Sequence, residues 1–420
     1  MIDTLVNLLK EESAVDAYEI VASHTSSAQL FYVLNKLETN RYANNDDLSA
    51  TIYVKHGDKL GTSSIVINKA DDTASIKAKI KDAVNTAKQV DNEVFELEKD
   101  IDGTFQMIES IKEKDLSVIA QKVAQAIMKA DVHKEGWLNS IEVFANKRKT
   151  RVLNSYGVDR SFEKTTIEAE VIPTWKGEKE EIELYLHFEI MSEDYEKITQ
   201  KVEAILREAY YRSKATKPQN IKADVVLSGE MRDLIFSTLA SDLSFGSKYM
   251  HLNHYELSDE VVPYDLDLSV KGVIKNASHS APFDSHGTII KDTKIISKGK
   301  VLQNWGDLRY GQYLKADHIS GGANLVEVSV NDKGDALKLP YLEIVNFSSP
   351  QLEENSGYCG GEVRLGLLHK EDGDIEPLTS FSISCNIYEA LKSAEYSLEE
   401  ETDESYSGPK YLRLKGVKIA

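Results

Sequence analysis

Apolar residues recur first at helical spacing: Ile2, Leu5, Val6 and Leu9 fall at i, i+3, i+4 and i+7, which predicts a short amphipathic helix. Alternating or β-branched runs follow at 17–23, 29–38, 48–55 and 60–68, the last two joined by the turn sequence His56-Gly57-Asp58. They predict an antiparallel meander. Helical stripes return with Ile76, Ile80, Ala83, Val84 and Ala87, and again between Asp115 and Ala130. Strand patterning resumes at 137–147, 150–155, 165–173 and 181–189, before a helix built on Tyr195, Ile198, Val202, Ile205 and Ala209.

Residues 212–220 are polar and aperiodic and include a proline, so they are the expected linker. Beyond them one helix is expected at Gly229–Leu243, and the rest reads as short strands broken by Gly, Asp and Asn. Hairpins are expected at 294–304 and 365–385, turning at Lys298-Gly299 and Asp372-Gly373. The acidic run 396–408 reads as a solvated loop. The expected class is α+β. An N-terminal domain, 1–215, carries an antiparallel sheet and long helices, and a C-terminal domain, 220–420, is β-rich and barrel- or sandwich-like.

A length of 420 residues fits two domains better than one. The formal charge of −19 sets the whole-protein field against phosphate backbones, so no nucleic-acid partner is expected. No apolar run approaches the roughly 18–20 residues needed to cross a bilayer, and the start lacks a basic signal-peptide region. A cytoplasmic protein without a membrane role is therefore expected, and two cysteines suit a reducing compartment.

The candidate chemistry is sparse. His251 and His254 stand three apart with Glu256 nearby, a possible metal pair on a helix or simply part of a loop. Asp284 and His286, with His279, could pair a carboxylate with an imidazole, or form a turn entering a strand. Gly321-Gly322 and Gly360-Gly361 lack the context of a phosphate-binding loop. Cys359 is the more interesting thiol because Gly360 and Gly361 allow backbone or ligand to approach closely, with a structural role weighed ahead of a functional one, and Cys385 reads as strand packing. No set of residues is by itself a catalytic constellation.

Several segments, taken in order, resemble the TldD/PmbA (TldE) family, described as modulators of DNA gyrase and associated with peptide proteolysis and maturation. They are LSATIYVKHGDKLGTSSIVI with the helix after it, the turn Asn154-Ser155-Tyr156-Gly157, residues 281–314, HISGGANL (318–325), the block starting at GYCGG, and the closing YLRLKGVKIA. The resemblance implies that TldD-type members bind zinc through HExxxH on the first helix of the second domain, plus a later cysteine. Here Gly229-Glu230-Met231-Arg232-Asp233-Leu234 takes its place, and of the motif only Glu230 remains. The resemblance thus implies a PmbA/TldE-like subunit that binds no cofactor itself, with zinc in a TldD-like partner. Such a subunit would hold or channel unfolded peptides as half of a heterodimer. The alternative is a stand-alone homodimer, either peptide-binding or hydrolytic through a relocated site. Glu230 and Cys359 are the catalytic candidates, Asp284, His286, Gly360 and Gly361 the substrate-binding ones, and His251 with His254 the alternative metal ligands.

Overall fold

A computed structural model describes every residue except 100–103, 179, 333 and 349. The opening helix α1 (Ile2–Glu11) forms as its spacing predicts and buries Leu5, Leu8 and Leu9. Three strands follow, β1 (Ala17–Val33), β2 (Lys36–His56) and β3 (Lys59–Val66). With β4 (Thr104–Ile108), β5 (Gly136–Asn154) and β6 (Asp159–Lys176) they form a sheet ordered β3-β2-β1-β5-β6-β4, which the short strands Glu181–Glu183 and Leu186–Ile190 extend beside β6. All pairings in it are antiparallel except β4 with β6.

Several of these strands are far longer than their patterning suggests. The expected strands 17–23 and 29–38 are a single β1 that ends at Val33, and the chain reverses at Leu34 and Asn35, with φ of 46° and 60°. Asn tolerates such angles, whereas Leu seldom adopts them and so gives no turn signal. In the same way 137–147 and 150–155 merge into β5. Gly61 is needed where it stands: a Cβ there would lie 1.8 Å from the Ala87 carbonyl, so only glycine lets β3 pass the end of helix α2 (Thr73–Ala87).

Residues i and i+2 of a strand share a face. On β1 the even positions Tyr18, Ile20, Ala28 and Leu30 point to the helices. At one end they meet α1 and α2, and at the other α3 (Leu116–Lys129) and α4 (Tyr195–Lys214). Helix starts are fixed by Asp72, Asp115 and Asp194, whose carboxylates accept backbone N–H groups of the first turn. Helix α4 runs through Lys214, so the expected linker begins as its last turn.

The odd positions face the other way. Glu19, Val21 and their neighbours Val152 and Phe162 meet the loop around Phe283 and His286 from the second half of the chain, while Tyr53 packs nearby against Phe95 and donates to Glu19. Farther along, β3 covers β2 only from Ser49 onward. The outer edge of β2 from Lys36 to Asp47 therefore has no strand partner among the described residues.

From residue 224 on, two further sheets share one core with helix α5 (Glu230–Asp242). One joins strands Lys300–Val301, Thr293–Ser297, Leu266–Lys271, Leu325–Val330, Tyr406–Pro409 and Glu400–Thr402, in that order. The other centres on Asp224–Leu227, Tyr341–Phe347, Tyr358–His369 and Phe381–Asn386. The hairpin turns at 298–299 and 370–374 are formed as expected. The acidic run is not a free loop, since both Glu400–Thr402 and Tyr406–Pro409 lie within a sheet. The molecule is α+β. No helix among the described residues is long and apolar enough to cross a membrane.

Candidate functional site

Two buried clusters of charge stand out, and each contains or adjoins a candidate residue. The first lies at the start of α5. Gly229 caps the helix with φ 56° and ψ −137°, and Glu230, the first helical residue, is exposed to solvent. Two residues on, Arg232 is 0% exposed. Its Nε and one terminal nitrogen donate to Asp233 at 2.8 and 2.6 Å, the same terminal nitrogen reaches Asp403 at 2.7 Å, and the other reaches Glu401 at 3.1 Å and the Lys410 carbonyl at 2.8 Å. Five bonds meet the five N–H donors of a guanidinium. The Tyr406 ring lies 4.1 Å from its central carbon. Burial drives the Asp233 carboxyl upward, aided by Asp403 and opposed by Arg232. The carboxylates here are already committed to a fixed cation. A divalent ion would have to displace Arg232, and neither Glu230 nor Leu234 supplies an imidazole.

The second cluster joins the two halves of the chain. Asp284 accepts three backbone N–H bonds, from His286 at 2.9 Å, Thr288 at 3.0 Å and Gly322 at 2.8 Å, the last tying it to the HISGGANL segment. Burial raises its carboxyl against the pull of these bonds. They fold residues 284–288 into a turn that aims the His286 Nδ1 at the Glu19 carboxylate, 3.0 and 3.1 Å away. Glu19 is 4% exposed and also accepts the Tyr53 hydroxyl at 2.6 Å. Burial opposes charge on His286, but the hydrogen bond and charge of Glu19, reinforced by Asp284 and Asp307, lift it to about 9. At neutral pH it is an imidazolium. It can donate a proton or bind an anion, and it cannot serve as a base. Arg160 adds a bond to the Gly287 carbonyl and Lys164 one to the Ser278 carbonyl. The turn and acid–base readings of Asp284 and His286 are therefore both present, because the turn sets the pair.

The remaining candidates are scattered. His251 sits on an exposed turn with φ 57°. His254 pairs instead with Asp242 at 3.1 Å and packs its ring 4.3 Å from that of Tyr388. Among the described residues no group of three or more His, Cys, Asp or Glu side chains is placed to hold a metal ion. Gly360 packs under the neighbouring strand, where a Cβ would lie 2.3 Å from the Ile383 carbonyl, and Gly361 continues that strand. Cys359 is 2% exposed, and contact with Cys385 together with burial pushes its thiol up, so it is sealed from any substrate that arrives through solvent. Cys385, read from sequence as packing, is the thiol that reaches solvent. It lines a cleft of about 660 Å³ with Tyr358, Asn386, Glu389, Lys415 and Lys418.

Sequence reasoning missed Glu19, Tyr53, Arg232, Glu401 and Asp403. A signal did exist for Arg232 and Asp233, a charged pair inside the apolar stripe Met231, Leu234, Ile235. For Glu19 there was only its place in an otherwise apolar strand.

Residues 220–420 match the model of the PmbA/TldA metallopeptidase C-terminal domain. A curated relative, the metalloprotease PmbA homolog of Buchnera aphidicola subsp. Acyrthosiphon pisum (strain APS), is 24% identical, with 73% of this chain and 70% of that protein covered. Among solved structures, a modulator of DNA gyrase from Bacteroides thetaiotaomicron VPI-5482 superposes with TM-score 0.78 at 14% identity, covering 100% of this chain and 97% of that one. TldE from Thermococcus kodakarensis superposes with TM-score 0.75 at 16% identity, covering 99% and 100%. The fold and the matched region define a protein related to peptidases. Residues 220–420 are similar to the C-terminal domain of the TldD/PmbA family, and over its whole length the chain shares the fold of the solved proteins above.

Proposed function

We propose that the chain is a PmbA/TldE-like subunit that holds unfolded peptides for a TldD-like, zinc-bearing partner and binds no zinc of its own. The Arg232 cage carries this reading. It places a fixed, fully partnered cation on the helix where TldD-type relatives carry HExxxH, and a buried guanidinium repels the dication that hydrolysis would need. A subunit so built can aid proteolysis only by presenting substrate to another chain's metal.

Two features suit the holding role. The outer edge of β2 from Lys36 to Asp47 offers backbone N–H and C=O groups to an added strand, a mode that gives affinity with little sequence preference. The His286 imidazolium, anchored by Glu19, supplies a cation at the junction of the two halves, where a peptide carbonyl or carboxylate could be gripped. A cytoplasmic setting, with unstructured peptides preferred over folded proteins, belongs to the same proposal. The test is to purify the chain, measure zinc after dialysis, and follow cleavage of an unfolded peptide by a TldD-like protein with and without it. Substoichiometric zinc and cleavage that depends on both chains are expected. One zinc per chain, or a TldD-like protein equally active alone, overturns the reading.

A further inference from the structure

The chain has two cysteines in 420 residues, and the fold sets them directly opposite each other. Cys359 on Tyr358–His369 pairs with Cys385 on Phe381–Asn386 in an antiparallel ladder. A strand residue has at most two such partners, so two cysteines placed at random would meet this way in fewer than roughly one chain in a hundred. Directly opposed residues share a face, with Cα atoms about 4.5–5.5 Å apart. That spacing lies within the range a disulfide can span. Both thiols are free.

Their surroundings differ in a way that assigns each a part. Cys359 is sealed in the core, while Cys385 is half-buried and borders the cleft that also holds Lys415 and Lys418. We propose that Cys385 and Cys359 form an oxidisable dithiol that takes hydroperoxides, with Cys385 attacked first and Cys359 resolving it. The Cys385 thiolate attacks the outer oxygen of the peroxide, the O–O bond breaks, and the departing oxygen takes up a proton to leave as water or alcohol. Cys385 is then a sulfenic acid. The Cys359 sulfur attacks the Cys385 sulfur, the S–O bond breaks, and the hydroxide leaves as water with the Cys359 proton. The balance is two thiols and one hydroperoxide giving one disulfide, one water and one water or alcohol. Contact with the Cys359 thiol draws Cys385 down and pushes Cys359 up, which fits this order of events. The disulfide would tie the two strands together beside the cleft, just before the helical turn Ile387–Ala390.

The test uses the full reduced chain and hydrogen peroxide as the probe, followed by denaturation, alkylation of remaining thiols and peptide mass spectrometry. In the native protein, Cys385 should alkylate at least about tenfold faster than Cys359. After peroxide, both should resist alkylation together, appear as one cross-linked peptide, and be released by dithiothreitol. Cys359→Ser should leave Cys385 as a sulfenic acid that dimedone labels, and Cys385→Ser should leave Cys359 reduced. The wild-type result stands even if a variant fails to fold. Two thiols that stay alkylatable while free glutathione is consumed would overturn the proposal. So would a disulfide between two chains, or unchanged oxidation of Cys359 in Cys385→Ser.

Discussion

Arg232 and His286 are both buried cations held by acidic side chains, and they are held for different ends. Arg232 lies wholly within the second half, at 0% exposure, with every N–H used. His286 reaches across to Glu19 in the first sheet, and its side chain keeps 25% of its surface. A guanidinium cannot lose its charge in the physiological range, whereas an imidazole can. The first cluster is therefore a permanent fastening of α5 to the acidic segment, and the second a titratable joint between the halves.

The sharpest way to break this contrast is Arg232→Ala. It strands Asp233, Glu401 and Asp403 without a counter-ion, at an expected cost of about 3–5 kcal/mol. Urea unfolding measures it. A loss below about 1 kcal/mol, the worth of an exposed pair, would mean the cage is not sealed. Asp284→Ala should cost less, about 1–3 kcal/mol, because three backbone N–H groups lose their acceptor at a less enclosed site.

A pH titration separates the two clusters directly. The folded His286 is raised to about 9 from an ordinary value near 6.5. Its stabilisation is thus fully present below about 6.5 and is lost as pH rises through about 9. Thermal midpoints should fall over that window in the wild type and fall less in Glu19→Gln, whereas the Arg232 guanidinium keeps its charge throughout and the raised Asp233 beside it contributes equally to both proteins. Equal slopes in both proteins would show that Glu19 does not hold the proton. The smallest effect is expected for Glu230→Ala. Exposed at the helix start, it should shift stability by no more than about 0.5 kcal/mol and leave partner-dependent cleavage unchanged. A large loss of cleavage would return Glu230 to the chemistry.

The contrast also shows which parts of the molecule sequence could disclose. Helices α1 to α5 were legible because their apolar residues repeat at helical spacing, and α2, α3 and α4 also start at carboxylate caps of known habit. The reversal at Leu34 and Asn35 was not, since its angles come from the pairing of two long strands rather than from a turn residue. The site divides the same way. Asp284 and His286 lie two apart and could be seen as a pair, but Glu19 stands 267 residues from His286 and Glu401 stands 169 from Arg232. The acidic run looked solvated because local charge density says nothing of a guanidinium brought to it by another element. Likewise the partnership of Cys359 and Cys385 depends on register, which no single strand reveals.

The cap of α5 carries one further consequence. Rebuilding HExxxH here would require histidine at 229 and at 234, and Gly229 has φ 56° with ψ −137°, a conformation that suits glycine and strains any residue with a Cβ. Leu234 packs against the shared core, where an imidazole would arrive with a polar group to satisfy. Even then Arg232 would have to be removed and Glu401 and Asp403 given another counter-ion. Each of these steps is unfavourable until the others are complete, so the helix stands at the far side of a one-way passage. A metal site at this helix would need all of these changes together.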